Sequence, residues 1–269
     1  MGPQHFCNQA HIYSMVKKSE KGNSIKGIER AVRIIDTLQK YNYLTLTDLS
    51  SELDIPTSTA HVYLQTLEQQ GLVVRNDGEY RNSLKFLEYG GYVRQQSEIY
   101  DAARPVLRDL AIQTGKRAGL GVEERGKRVL LFHEDGSQAV SDNVPIGECT
   151  EMHWTGLGKC LLAYQPETKQ NKIIEDSDLP KATDETITDP EELRKELHAI
   201  KKQGYAIENE ERREGIRSAA VPVLTPDDQI LGAIGLTGPT GHFGHEQMSS
   251  DIALLQRKAN IIKIQAIYY

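Results

Sequence analysis

Residues 44–70, LTLTDLSSELDIPTSTAHVYLQTLEQQ, set two short apolar stripes at helical spacing on either side of a proline, and few folds accommodate that arrangement. Leu46, Leu49 and Leu53 recur three and four residues apart, and Thr45 or Thr47 stands where a side-chain oxygen accepts from the free amides of a helix start. Pro56 suits the first turn of a second helix, where its missing N–H is no loss, and Ala60, Leu64 and Leu67 form that helix's buried stripe. Ser58, Thr59, His61, Val62 and Gln65 are left outward. Gly71 ends the helix, and LVVRNDGEYRN reads as two β-rich runs about the turn Asn76-Asp77-Gly78. Upstream, Ile28, Ala31, Val32, Ile35 and Leu38 predict a further helix that closes the core. Together these elements predict a winged helix-turn-helix over residues 25–85.

In such a module the second helix of the pair enters the major groove of double-stranded DNA, which is wide enough to admit it. The alternative is a helical hairpin used only for packing, but small polar residues line the outward face instead of a lattice of paired charges. Thr45, Thr57, Ser58, Thr59, His61, Val62, Gln65, Arg75 and Arg81 are the candidate DNA contacts. The module is not basic: Lys26, Arg30, Arg33, Lys40, Arg75, Arg81 and Lys85 are outnumbered by its carboxylates. Phosphate neutralisation supplies most non-specific affinity, so a reader of this charge depends on a dimer, an upstream basic arm or a few well-placed cations.

At 269 residues, with 38% apolar content, the chain holds one or two domains with a core in each. No apolar run approaches the ~20 residues of a membrane helix, and the N-terminus lacks the order of a signal peptide, so a cytoplasmic protein is expected. Cys7, Cys149 and Cys160 are odd in number and far apart, against a disulfide framework. Residues 1–24 read as a disordered basic tail, able to lie along a groove as an arm, and Met15 is an alternative start. His5, Cys7 and His11 in that tail supply three groups without a paired metal-ligand spacing, so no metal site is expected.

After the wing, LKFLEYGGYVRQQSEIYDAARPVLRDLAIQTG is helical except at Gly90-Gly91 and Pro105, which are expected to mark joints between helical pieces. A linker helix over residues 86–103 then separates the winged helix from a second domain, residues 104–269. There, strand-like runs fall at Arg117–Val122 and Val129–His133, a helix at Gly156–Tyr164, and another at Asp189–Gln203 with Pro190 in its first turn. SAAVPVLT and ILGAIGLTGP add strands, and Met248, Ile252, Leu255, Ala259 and Ile262 mark a final helix over His245–Tyr268. Strands in the middle and helices on the margins predict an α+β sensor domain.

The segments IKGIERAVRIIDTL, LTDLSSELDIPTSTAHVYLQTLEQQGLV, HWTGLGKCLLA, GYAIENEERREGIRSAAVPV and LGAIGLTGP, in this order and spacing, resemble the isocitrate-lyase-regulator (IclR) family of transcriptional regulators. The resemblance runs from about Ile25 to Tyr268. It implies a winged helix, a linker helix and a GAF-like, mixed α/β effector-binding domain, in homodimers or homotetramers whose DNA modules read a two-fold site. Two departures stand out. Val62, preceded by His61, occupies a place where family members carry Arg, so a guanidinium contact is missing. Asn82-Ser83 replaces the Leu-Gly that follows the wing tyrosine.

By position in the family, the effector's carboxylate lies beside the helix start at Thr155, Gly156 and Leu157, where free amides and the helix dipole make an anion site. The polar ligands across the pocket correspond to Glu208, Ser218 and Thr237, with Gly235 where others have a small hydroxyl residue. A small organic acid or sugar-derived acid is the expected effector. Glu208 can accept a hydroxyl hydrogen bond and Gly235 can enlarge the cavity; alternatively Glu208 pairs with Arg212 or Arg217, and Gly235 only relieves strand crowding. Lys159 reads as a solvated or structural charge. Ser218 with His242 or His245 can be drawn as a hydrolase triad, but no nucleophile elbow accompanies it and no phosphate loop is present, so no catalytic residue and no cofactor are expected. Two alternatives stay open: a DNA-binding dimer with an empty sensor domain, and a thiol redox sensor with Cys149, in a turn-rich loop, the better oxidation candidate and Cys160 buried.

Overall fold

The computed structural model describes residues 24–140 and 144–268, so the expected disordered basic arm, the His5, Cys7 and His11 trio and the alternative start at Met15 lie outside the described residues. The winged helix is built from α1 (Lys26–Tyr41), β1 (Leu44–Thr45), α2 (Leu46–Leu53), α3 (Thr57–Gln69), β2 (Val73–Asn76) and β3 (Glu79–Asn82), followed by α4 (Lys85–Gln95). Among the described residues its three strands pair antiparallel in the order β1-β3-β2. Asp77 and Gly78 both take positive φ, +50° and +88°, which lets a two-residue turn join β2 to β3. Thr45 caps α2 by accepting from the Asp48 amide at 3.2 Å, and Pro56 stands immediately ahead of α3, one residue earlier than the first-turn position expected.

The core of this unit is Ile34, Leu38, Leu49, Leu53, Leu64, Leu67, Val73 and Tyr80. The stripes of α2 and α3 point inward as their spacing predicts. In α1 the phase differs: Ile34 and Leu38 are buried, Ala31 and Ile35 flank them, and Ile28 and Val32 are exposed. Apolar residues occur on more than one face of α1, so its sequence fits two phases, and the buried one is fixed by contact with the rest of the core.

The chain divides into two compact units between Val93 and Arg94, inside α4. The stretch expected as one linker helix is two helices, α4 and α5 (Glu98–Thr114), interrupted at Gln96–Ser97, where Ser97 is extended. Gly90-Gly91 and Pro105 are not joints. An added Cβ at either glycine would meet nothing within 4 Å, and α4 runs through both. Pro105 sits inside α5, and Asp101, whose carbonyl loses its helical partner there, is an exposed residue.

The second unit continues with β4 (Arg117–Glu124), β5 (Lys127–Glu134), β6 (Cys149–Glu151), α6 (Gly156–Ala163), α7 (Glu167–Asp176), α8 (Pro190–Gln203), β7 (Ala206–Asn209), β8 (Ile216–Leu224), β9 (Ile230–Pro239) and α9 (His245–Tyr268). Among the described residues six strands form an antiparallel sheet in the order β6-β5-β4-β9-β8-β7. Strand alternation sorts its side chains. Ala118, Leu120, Ala219, Val221, Ile234 and Leu236 face α5 and α9, while Ala206, Ala220 and Ala233 face the layer of α6, α7 and α8. The small residues of the second face let α6 lie close to the sheet. The fold is α+β, as the sequence predicts. Among the described residues no helix is long and apolar enough to cross a membrane.

Candidate DNA-reading and effector sites

The outward face of α3 is mostly polar and uncharged at its start. Thr57, Ser58, His61 and Gln65 are exposed, Val62 is 60% exposed, and Thr59 is half-buried. The Thr57 hydroxyl lies 3.2 Å from Ser50 Oγ. Thr45 spends its hydroxyl on Asp48, which it meets as both acceptor from the amide and donor to the carboxylate, so it is a capping residue first. In the wing, Arg75 is exposed with its guanidinium over the Tyr80 ring, and Arg81 donates to the Asn82 carbonyl at 3.1 Å. The unusual Asn82-Ser83 has a local role: Asn82 Nδ2 donates to the Ile35 carbonyl, and Ser83 Oγ accepts from the Lys85 amide at the start of α4.

The expected effector residues of the second unit converge on one sheet face. Register places Glu208 opposite Ser218 and Ser218 opposite Thr237, one row across β7, β8 and β9, with Gly235 two residues along on the same face. The start of α6 lies against that row. Thr155 caps α6, accepting from the Gly158 amide at 2.9 Å, and this leaves Gly156 and Leu157 as the donors at the helix end. A Cβ on Gly156 would come 2.9 Å from Ser218 Oγ, so a larger residue here would displace that hydroxyl. Ser218 Oγ donates to Glu208 Oε2 at 2.9 Å, and the Arg212 amide approaches Glu208 Oε1 at 3.5 Å. Burial pushes the Glu208 carboxyl up to about 7, against the opposing pull of those two donors.

Two of these readings need correction, and a third is settled between its alternatives. Glu208 pairs with neither arginine side chain: the Arg212 guanidinium reaches Glu148 at 2.6 Å and that of Arg217 bonds Asn209. Gly235 opens no cavity, because a Cβ there would stand 2.8 Å from the Ala219 carbonyl oxygen and 3.2 Å from the Leu157 side chain, which packs over it. Of the two readings of Lys159, solvated or structural, the structural one holds. The side chain is fully buried, donating to Glu211 at 2.7 Å and Glu196 at 3.2 Å, and burial raises the Glu211 carboxyl.

Around this row lies a charged cluster without a sequence signature. Arg128 on β5 is 2% exposed, with Nε donating to Thr150 Oγ1 and Nη2 to Glu148 Oε2, each at 3.0 Å. Burial draws the Arg128 guanidinium down to about 10, and Arg212 adds to that shift, while Glu148 resists it. Neither thiol of this unit is activated: burial pushes half-buried Cys149 up, and buried Cys160 further.

Residues 27–77 match the IclR helix-turn-helix domain, and residues 92–264 match the family described as bacterial transcriptional regulator IclR, C-terminal. Over 246 residues the chain is 30% identical to the probable HTH-type transcriptional regulator ArcR of Halobacterium salinarum, a match spanning 90% of this chain and 94% of that protein. The IclR structure from Thermotoga maritima superposes with a TM-score of 0.76 at 27% identity, covering 90% of this chain and 99% of that one. In fold the chain is also like an IclR homologue from Microbacterium hydrocarbonoxydans complexed with 4-hydroxybenzoate, with a TM-score of 0.76, 22% identity, and coverage of 89% and 98%. The chain belongs to the IclR family and is a DNA-binding transcriptional regulator, not an enzyme.

Proposed function

We propose that this regulator reads its operator with the exposed face of α3 and changes its DNA affinity when a small organic acid occupies the end of α6. In this reading Thr57, Ser58, Thr59, His61, Val62 and Gln65 meet the major groove, Arg75 and Arg81 meet phosphates from the wing, and Thr45 holds the start of α2. The acid's carboxylate accepts from the amides of Gly156 and Leu157 beside Thr155, and Glu208, Ser218 and Thr237 bind its polar remainder. Gly235 contributes by admitting Leu157. The observation that carries the reading is the convergence of Glu208, Ser218 and the α6 amides in one buried place, supported by the 4-hydroxybenzoate held by a relative of the same fold.

Two copies act together, because half-sites one helical turn apart (~34 Å) need two readers. The exposed Leu84, Leu87, Tyr92 and Val93 of α4 and its approach support self-association, as a dimer or a tetramer. Fluorescence anisotropy against the gene's own upstream DNA and a scrambled duplex, at two salt concentrations, tests DNA reading. Specific binding that survives the higher salt is expected; equal, weak binding to both duplexes that vanishes with salt would overturn it.

A further inference from the structure

The buried cations of the second unit are matched in different ways. Lys116 meets one carboxylate, Asp251, at 2.5 Å, and Lys159 meets two, Glu211 and Glu196. Arg128 and Arg212 instead share one, Glu148, at 3.0 and 2.6 Å. Two guanidinium charges over a single carboxylate leave an uncompensated positive charge where Arg128 is almost wholly out of water, an arrangement that is expensive without an anion. Donors also remain unspent. The bonds of Arg128 use Nε and Nη2, and that of Arg212 uses Nη2 alone, so Arg128 Nη1 and the Nε and Nη1 groups of Arg212 have no hydrogen-bond partner among the described residues.

The cluster adjoins the α6 site. A Cβ placed on Gly121 would lie 3.3 Å from the Arg128 stem and 3.4 Å from Leu157 Cβ, so the arginine and the second residue of α6 are neighbours on the same sheet face. On the other side, Arg212 links the two through its amide on Glu208 and its guanidinium on Glu148. Arg212 is about one-third exposed and gives the cluster its open side.

We infer that Arg128 and Arg212 form a second anion subsite, so that the effector of this chain is a short dicarboxylic acid: one carboxylate at the amides of Gly156 and Leu157, the other on the unspent guanidinium donors, with Glu148 holding the two arginines in place. This rests on the effector reading above and narrows its ligand class. Charge-assisted hydrogen bonds from planar guanidinium groups favour a carboxylate over a hydroxyl or a methyl in the same place.

Isothermal titration calorimetry of the full-length protein compares malonate, succinate and glutarate with propanoate, butanoate and pentanoate, their monocarboxylate counterparts. The best dicarboxylate is expected to bind about tenfold to a hundredfold tighter than its counterpart, the gain of one charged hydrogen-bonded contact. In Arg128→Gln and Arg212→Gln that ratio falls to within about twofold. Arg212→Gln changes a partly exposed side chain, so it answers the question even where Arg128→Gln disturbs the fold. Equal affinity for both series in the wild-type protein, or a ratio kept by Arg212→Gln and by a folded Arg128→Gln, would overturn the second subsite and leave the α6 site standing. Failure of all six acids to bind would overturn both.

Discussion

The two units of this regulator keep their polar groups in opposite places. The winged helix has a core of aliphatic side chains and one tyrosine, and the polar groups proposed to read DNA lie outside, on α3 and the wing. Every buried polar or charged side chain among the described residues, from Lys116 to Asp251, belongs to the second unit. A DNA reader needs a rigid body with donors and acceptors on its surface, because its partner is too large to enter. In the reading proposed above, the second unit senses a small molecule and so puts the same groups inside, where each costs desolvation and each is tied to a partner.

The strongest way to break this contrast is to delete one partner of a buried charge. Lys159→Met leaves Glu211 and Glu196 facing each other without their cation, and the second unit is expected to lose about 3–5 kcal/mol. Trp154 is the sole tryptophan of the chain and lies in this unit, so its fluorescence in a denaturant titration reads the loss directly. In the winged helix the counterpart is Leu64→Ala, a cavity in an apolar core, expected to cost about 2–5 kcal/mol and to shift the far-ultraviolet circular dichroism transition while leaving the Trp154 transition in place. If both transitions move together in both variants, the units unfold as one block and the division of labour is not one of stability.

Glu208 sharpens the contrast through pH. Its carboxyl is held at about 7 in the fold against an ordinary 4.5, so the folded state keeps a proton that the unfolded chain gives up first. Below pH 4.5 both states are protonated and nothing is lost; between 4.5 and 7 stability falls, and above 7 the full loss, on the order of 3 kcal/mol, is in place. Glu208→Gln keeps an acceptor for Ser218 and cannot titrate. It is expected to match the wild type at pH 4 and to exceed it at pH 8 by that amount, read as the midpoint of the Trp154 transition. A difference that stays flat across this range would show that Glu208 does not titrate as its burial implies. On α3, His61→Ala is expected to leave the melting temperature in place and to weaken operator binding by about 1–3 kcal/mol if the imidazole reaches a base edge. Unchanged anisotropy titrations would remove His61 from the contact list.

The two units also differ in how far they can be read in sequence. Local periodicity and turn chemistry disclose the winged helix: the stripes Leu49/Leu53 and Ala60/Leu64/Leu67 and the turn Asp77-Gly78 are each set by neighbours a few residues away. Where periodicity fits two phases, as in α1, only the tertiary contact decides, and Ile28 and Val32 end up outside. The break at Gln96–Ser97 carries neither proline nor a glycine pair, while the residues that look like breakers are carried through by exposed helical backbone. In the second unit Glu208 and Ser218 could be placed through the family resemblance, and strand register explains why they meet. Arg128, Glu148 and Arg212 have no such signal. They come from β5, the loop before β6 and the loop after β7, and only the closed sheet makes them neighbours.

The smallest expected effect separates the second unit's buried interior from thiol chemistry. Cys149 is half-buried and its thiol is raised above its ordinary range by that burial, with Glu124 and Glu148 adding to the shift and Arg128 opposing it. Cys160 lies wholly inside α6 among Leu161, Leu162 and Ala163. The thiolate is the reactive species, so neither group is poised to react near neutral pH. In a Cys7→Ser background, a chromogenic disulfide reagent at pH 7.5 is expected to modify Cys149 more slowly than a free thiol, and Cys160 only as the second unit unfolds. Cys149→Ser is expected to bind operator DNA as the wild type does, with and without peroxide. Rapid modification of Cys149, together with a peroxide-dependent loss of DNA binding that Cys149→Ser abolishes, would make this chain a redox sensor and would place its signal at the strand edge of β6 instead of the proposed site at Glu208 and Ser218.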